Sequence, residues 1–269
     1  MKEPVDVVYS GGGTLVCTEA GAHARLCEQY DVVATTGTSA GSMVAAAHGV
    51  GFTPTQIRAL LLKTFGSGKS LLDGSLFGTF NGFGYYKGDR IHSILRQAFP
   101  GRMSQLKHDT RIVVCDLWTR QPVLVTRESH PGALVADVVR CSMSIPVFFQ
   151  AARLEQDNAR LYVDGGCAVN FALDAMDDRP ERTIGVRFHE NHEVLPVRGG
   201  DWKAYANAMA SLFMYASNNA HESSKTTASV IRIETKEDSL KFDLTAADVS
   251  RRYSEGWNSV QSWLETPRG

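Results

Sequence analysis

The chain has 269 residues, 28 Lys and Arg against 29 Asp and Glu, and 43% hydrophobic residues. That length and composition describe a globular protein able to bury one sizeable core, and the formal charge of -1 excludes the basic excess with which proteins neutralise nucleic-acid phosphates. Cys17, Cys27, Cys115, Cys141 and Cys167 show no C-x-x-C and no His-paired spacing of the kind that marks zinc, and their odd number fits a reducing compartment.

The N-terminus holds a strand-like run that meets glycine at Gly11, too short an apolar stretch for a signal peptide, so a cytoplasmic location is expected. Val5–Tyr9 and Val32–Thr36 are predicted as buried strands, each followed by a Gly-containing turn and a helix-like segment. Residues 32–57 carry no Asp, Glu, Lys or Arg, but their Thr, Ser and Gly content and His48 argue against a membrane span.

Ile57, Leu60, Leu61 and Phe65 recur at helical spacing, as do Ile91, Ile94, Leu95, Ala98 and Phe99. Arg111–Cys115 and Pro122–Thr126 are predicted strands that pair antiparallel across the Trp118–Gln121 connection, and Arg160–Val163, Thr183–Phe188 and Val230–Ile233 add further strands. Ala204–Ala220 is an uncharged helix candidate, and Val249, Tyr253, Trp257, Val260 and Leu264 share a face of a last helix. No linker or repeat interrupts the chain, so residues 1–269 are expected to form one α/β domain, a three-layer α/β/α sandwich with a mainly parallel central sheet.

Within this frame Gly37-Thr38-Ser39-Ala40-Gly41 reads as G-x-S-x-G between a strand and a helix, the context of a nucleophile elbow. Small residues on both sides permit the sharp turn that lifts the serine hydroxyl clear, and the following helix N-terminus favours developing negative charge. Gly11-Gly12-Gly13-Thr14 exposes consecutive backbone N–H groups ahead of a helix and suits an oxyanion. It also suits a phosphate, but Val16 stands where G-x-G-x-x-G requires glycine; likewise Lys63 stands where a Walker loop ending Gly68-Lys69-Ser70 requires one. Asp164 lies in Asp164-Gly165-Gly166 after a strand, a position open to a turn-forming or a catalytic acid. His189, His192 and His221 have polar neighbours and no surrounding motif, and are expected at the surface.

Together, Gly11–Thr14, Gly37–Gly41 and Asp164–Gly166 resemble the three markers of the patatin-like phospholipase family, in the family's order. Gly84–Arg90, Val114–Leu117 and Ser142–Phe149 are similar to its intermediate blocks, so the resemblance covers about residues 5–176. It implies a Ser-Asp dyad of Ser39 and Asp164, with Gly11, Gly12 and Gly13 as oxyanion hole, and a chemistry that requires no metal or organic cofactor. It departs at Leu15 and Val16, where many members carry a basic residue and then glycine.

The implied reaction is hydrolysis of a lipid carboxylic ester, as phospholipase A, lysophospholipase or esterase, through an acyl-enzyme. A latent acyl-ligand-binding protein of the same fold, and an acyltransferase using the same serine, remain as alternatives. Asp164 needs desolvation to act as a base, because a carboxylate titrates ordinarily near ~3.9; Val163 and Phe148 are candidates to supply it. Leu71, Leu72, Leu76, Phe77, Phe80, Phe83, Tyr85 and Tyr86 suggest either core filling or a lipid-facing rim, and any membrane contact is expected to be peripheral and transient.

Overall fold

Alternation along the first strand sets the two faces of the sheet. In the computed structural model, which describes residues 1–74, 84–155, 157–176, 178–190, 204, 205, 208, 209, 212 and 228–266, β1 spans Pro4–Tyr9. Val5, Val7 and Tyr9 enter the large core beneath the helices, whereas Val8 packs with Ala34, Phe171, Leu173 and Met176 on the opposite face. Asp6 is fully buried, and the Arg182 guanidinium satisfies it with paired bonds of 2.8 and 2.9 Å.

The main sheet has the order β10 (Ser229–Thr235), β9 (Thr183–Glu190), β1, β2 (Asp31–Thr38), β4 (Asp109–Asp116), β8 (Asp157–Asp164), β7 (Ala152–Leu154), with β5 (Gln121–Val125) also paired to β4. Strands β10, β9, β1, β2 and β4 are mutually parallel, with Val5 opposite Val32 and Thr36 opposite Arg111. β5, β8 and β7 close the edge in antiparallel pairs, which gives a mixed, mainly parallel sheet. β3 (Gly84–Tyr86) and β6 (Val147–Phe149) make a separate parallel pair.

The helices are α1 (Val16–Gln29), α2 (Gly41–Gly49), α3 (Pro54–Phe65), α4 (Asp89–Ala98), α5 (Val135–Ser142) and α6 (Ala246–Glu265). Local sequence starts two of them firmly: Thr53 with Gln56 and Thr245 with Asp248 form capping boxes, the first with Pro54 at the opening turn. α1 and α6 cross at backbone contact, because a Cβ on Gly21 would stand 1.8 Å from the Tyr253 carbonyl and one on Gly256 equally close to that of Thr18. This crossing brings the C-terminal helix beside the segment that follows β1.

All the strands predicted from the sequence are present, and the helical stripes fall on α3, α4 and α6. The Ala204–Ala220 candidate lies almost wholly outside the described residues. Among the described residues no helix is long and apolar enough to cross a membrane. Leu71 and Tyr86 are buried and Leu72 and Tyr85 pack against the core; Leu76, Phe77, Phe80 and Phe83 lie outside the described residues.

Candidate active site

β2 ends at Thr38 and α2 begins at Gly41, which leaves Ser39 at the turn with φ of 51°. A left-handed serine costs roughly 1–3 kcal/mol, so neighbouring contacts must hold it. They do: the Ser39 N–H donates to Ser142 Oγ at 2.9 Å, the Ser142 hydroxyl donates to the Val113 carbonyl at 2.7 Å, and the Ser42 hydroxyl donates to the Ser39 carbonyl at 2.5 Å. The flanking glycines are required by proximity, since a Cβ on Gly37 would lie 2.4 Å from the Gly41 carbonyl oxygen and one on Gly41 2.5 Å from that of Ser10.

Asp164 ends β8, where pairing with β4 sets it opposite Val114 and its N–H donates to the Ser144 carbonyl at 2.9 Å. The Ser39 hydroxyl donates directly to Asp164 Oδ2 at 2.6 Å, and the Gly166 N–H donates to Oδ1 at 2.7 Å. Both residues are only 4% exposed. Burial pushes the Asp164 carboxyl up from 3.8 to about 7, against the smaller opposing pull of the bonds from Ser39 and Gly166. The pair is thus a serine hydrogen-bonded to a carboxyl poised near neutrality, with no imidazole between them. Val163 and Phe148 are buried as well, and Phe148 stacks on Phe242 in an aromatic cluster with Tyr86 and Phe149. His189 is exposed, and His192 and His221 lie outside the described residues.

The three glycines after β1 do different work. The Gly11 N–H is committed to the Asn170 carbonyl at 2.9 Å, and a Cβ at Gly11 would stand 3.0 Å from that of Ser39. Gly11 therefore brings the loop close to the serine rather than offering a donor. Gly12 and Gly13 have no backbone acceptor among the described residues, and Gly13 takes a φ of 55°. Thr14 closes the loop, with its N–H donating to the Ser239 carbonyl at 2.7 Å.

A model of the patatin-like phospholipase family matches residues 7–177. The chain belongs to this family. Among curated proteins, "Uncharacterized protein R571" of Acanthamoeba polyphaga mimivirus is 23% identical over 70% of this chain, and "Uncharacterized protein YqhO" of Bacillus subtilis (strain 168) is 29% identical over 68%. The matches span 66% and 70% of those relatives, so the chain covers about two thirds of their length. The crystal structure of VipD from Legionella pneumophila superimposes with a TM-score of 0.55 at 15% identity, covering 98% of this chain and 67% of that one, a likeness of fold.

In this patatin-like chain the Leu15 and Val16 departure acquires a structural counterpart that sequence reading missed. Arg252 of α6 is fully buried, and its Nη1 donates to Thr14 Oγ1 at 2.7 Å. Its Nη2 donates to Glu237 Oε2 and to the Asp238 carbonyl, both at 3.1 Å. A guanidinium thus braces the glycine loop from behind, supplied 238 positions away, where no local motif announces it. Ser142 and Phe188 fall within a family block and a strand expected from the sequence, but their support of the elbow and loop, like that of Asn170, comes through long-range contact that local sequence does not announce.

Proposed function

We propose that this protein hydrolyses carboxylic esters of lipids through an acyl-enzyme on Ser39. The observation that carries the reading is the 2.6 Å bond from the Ser39 hydroxyl to the buried Asp164 carboxylate at a left-handed elbow. In the first step Asp164 takes the Ser39 proton as Oγ attacks the ester carbonyl; the proton then passes to the departing alcohol. In the second step Asp164 takes a proton from water as the water oxygen attacks the acyl carbon, and passes it to Ser39 Oγ as the acyl–Oγ bond breaks, which releases the acid and restores both groups. The carbonyl oxygen meets the N–H groups of Gly12 and Gly13 as its charge develops.

The exposed apolar pair Leu117 and Trp118, 45% and 70% exposed, supports a lipid substrate. It follows the C-terminal end of β4, the same end of the parallel strands at which Ser39 follows β2, so a surface held there faces the end of the sheet that carries the serine. Contact of this kind is peripheral and transient.

A fluorophosphonate tests the reading without a known substrate. One adduct per folded chain, mapped to Ser39 and absent from Asp164→Asn, is expected; absence of any adduct on folded wild-type protein would overturn it. Trp118→Ser is expected to lower flotation with phosphatidylcholine vesicles while leaving turnover of a soluble short-chain ester intact.

A further inference from the structure

A second buried polar cluster sits at the far end of α2. α1 projects His23 and, one turn later, Cys27 from the same face, and α2 carries His48 in its last turn. His23 is fully buried, His48 nearly so, and Cys27 half-buried. One donor atom from each of these side chains lies within 4.8 Å of the other two. His23 Nε2 is 3.4 Å from Cys27 Sγ, and the His23 and His48 rings meet edge-on with centroids 5.0 Å apart.

Outer partners orient both imidazoles. His48 Nε2 is 2.9 Å from the Val32 carbonyl, which can only accept, so Nε2 carries the proton and Nδ1 keeps its lone pair. His23 Nδ1 is 2.6 Å from the buried Tyr9 hydroxyl, which leaves Nε2 turned toward Cys27. A backbone carbonyl and a phenol holding the outer ring nitrogens is the support that metal-bound imidazoles receive in proteins. His108 lies against His48, with ring centroids 4.4 Å apart, at the half-buried side of the cluster.

Two imidazoles and a thiol make an expensive patch of core, because buried polar atoms cost free energy unless bonded. The direct S–H to Nε2 contact at 3.4 Å is a weak return for it.

We infer that His23 Nε2, Cys27 Sγ and His48 Nδ1 form a structural site for one divalent cation of the zinc class, with His108 or water as fourth donor. Imidazole and thiolate ligands select zinc-like ions over magnesium or calcium, which prefer oxygen. Bonds of about 2.0–2.3 Å require donors about 3.3–3.8 Å apart in a tetrahedron. The His23 Nε2–Cys27 Sγ separation of 3.4 Å already meets this, and the His48 donor, within 4.8 Å of both, must approach by roughly 1 Å through side-chain rotation. Binding breaks the Cys27 S–H bond, gives the sulfur electron pair to the cation and releases one proton to solvent, with no change of oxidation state.

The cation would pin α1 to the end of α2 remote from Ser39, since a helix of this length, Gly41–Gly49, extends about 13 Å. Its readout is accordingly binding and stability rather than turnover. Full-length protein stripped with a chelator and titrated with Co(II) is expected to bind one ion per chain. Tetrahedral d–d bands and a near-ultraviolet thiolate-to-cobalt band should appear, both lost on adding zinc, with one proton released per ion and a rise in Tm. Cys27 is half-buried, so Cys27→Ala should fold, lose the near-ultraviolet band and bind at least tenfold more weakly. His48→Gln, whose amide replaces the ring, should weaken binding by a similar factor. Failure of wild-type protein to bind one Co(II), survival of the thiolate band in Cys27→Ala, or wild-type affinity in His48→Gln would each overturn the site.

Discussion

At its N-terminal end α2 receives the chain through a left-handed serine, with glycines pressed against backbone on either side and a carboxyl made basic by burial. At its C-terminal end the same helix carries in its last turn His48, whose ring is tied to the Val32 carbonyl at the start of β2 and lies against the His23 and His108 rings. The first end holds strain beside the glycine loop, where the Gly12 and Gly13 N–H groups have no backbone acceptor among the described residues; the second spends its polar atoms on mutual contact. A short uncharged helix thus joins an end held by polar contacts to an end held in strain, where the Ser142 and Ser42 contacts keep the serine in a conformation that it would leave if free.

The comparison breaks most severely at the reactive pair. Ser39→Ala and Asp164→Asn should each abolish measurable turnover, while His189→Asn leaves kcat/KM unchanged; an inactive His189→Asn would refute the direct Ser-Asp relation. Asp164→Asn should also separate activity from stability. The folded carboxyl titrates above its unfolded value, so its stabilising contribution is full below pH 3.8 and is lost as pH rises through about 7. Above that pH the amide variant should therefore show an equal or higher Tm than wild type.

Gly12→Ala comes next, with an expected loss of about 100- to 1,000-fold in kcat from a displaced oxyanion donor. The added methyl would stand 2.6 Å from the Phe188 ring, so the loop or the ring must shift. Wild-type kcat in that variant would remove the loop from the mechanism.

The buried acid also sets a pH profile. Asp164 must be ionised to take the serine proton, so kcat/KM should rise with pH to a plateau, with an apparent pKa of about 7. Below it, activity falls about tenfold per pH unit. A rising limb near the ordinary carboxylate range would mean that burial does not tune the acid.

The smallest effect concerns the brace behind the loop. Arg252→Met should lower kcat by about tenfold, or ~1.4 kcal/mol, with little change in KM, because Thr14 loses the guanidinium and keeps only the Asp238 and Ser239 carbonyls while substrate contacts persist. Partial recovery in Arg252→Lys would distinguish loop positioning from general destabilisation.

The reactive pair was legible because it lives in local turn chemistry. Gly37 to Gly41 and Asp164 to Gly166 announce tight turns at strand ends, and the β-branched runs before them announce the strands. Strands β3, β6 and β7 are too short to carry an alternation signal, and α5, with Asp137 and Arg140 inside a buried turn, hides its periodicity. Gly11 illustrates a finer limit: its residue type showed that the chain comes close to something, but only the Asn170 contact reveals that its N–H is already used. Arg252, and the meeting of His23 with His48, depend on pairings between distant elements for which spacing along the chain offers no sign.

The glycine loop leans on Phe188 of β9, on the Ser239 carbonyl and on Arg252 of α6, all of them beyond residue 177, where the family match ends. The matched region is consequently shorter than the unit that holds the glycine loop in place. A truncation at that boundary would keep every signature motif and yet remove the outer wall of the oxyanion loop, two strands of the sheet and the helix that shields α1. Motif content and foldable unit are different lengths of this polypeptide, and expression boundaries or domain grafts should follow the longer one.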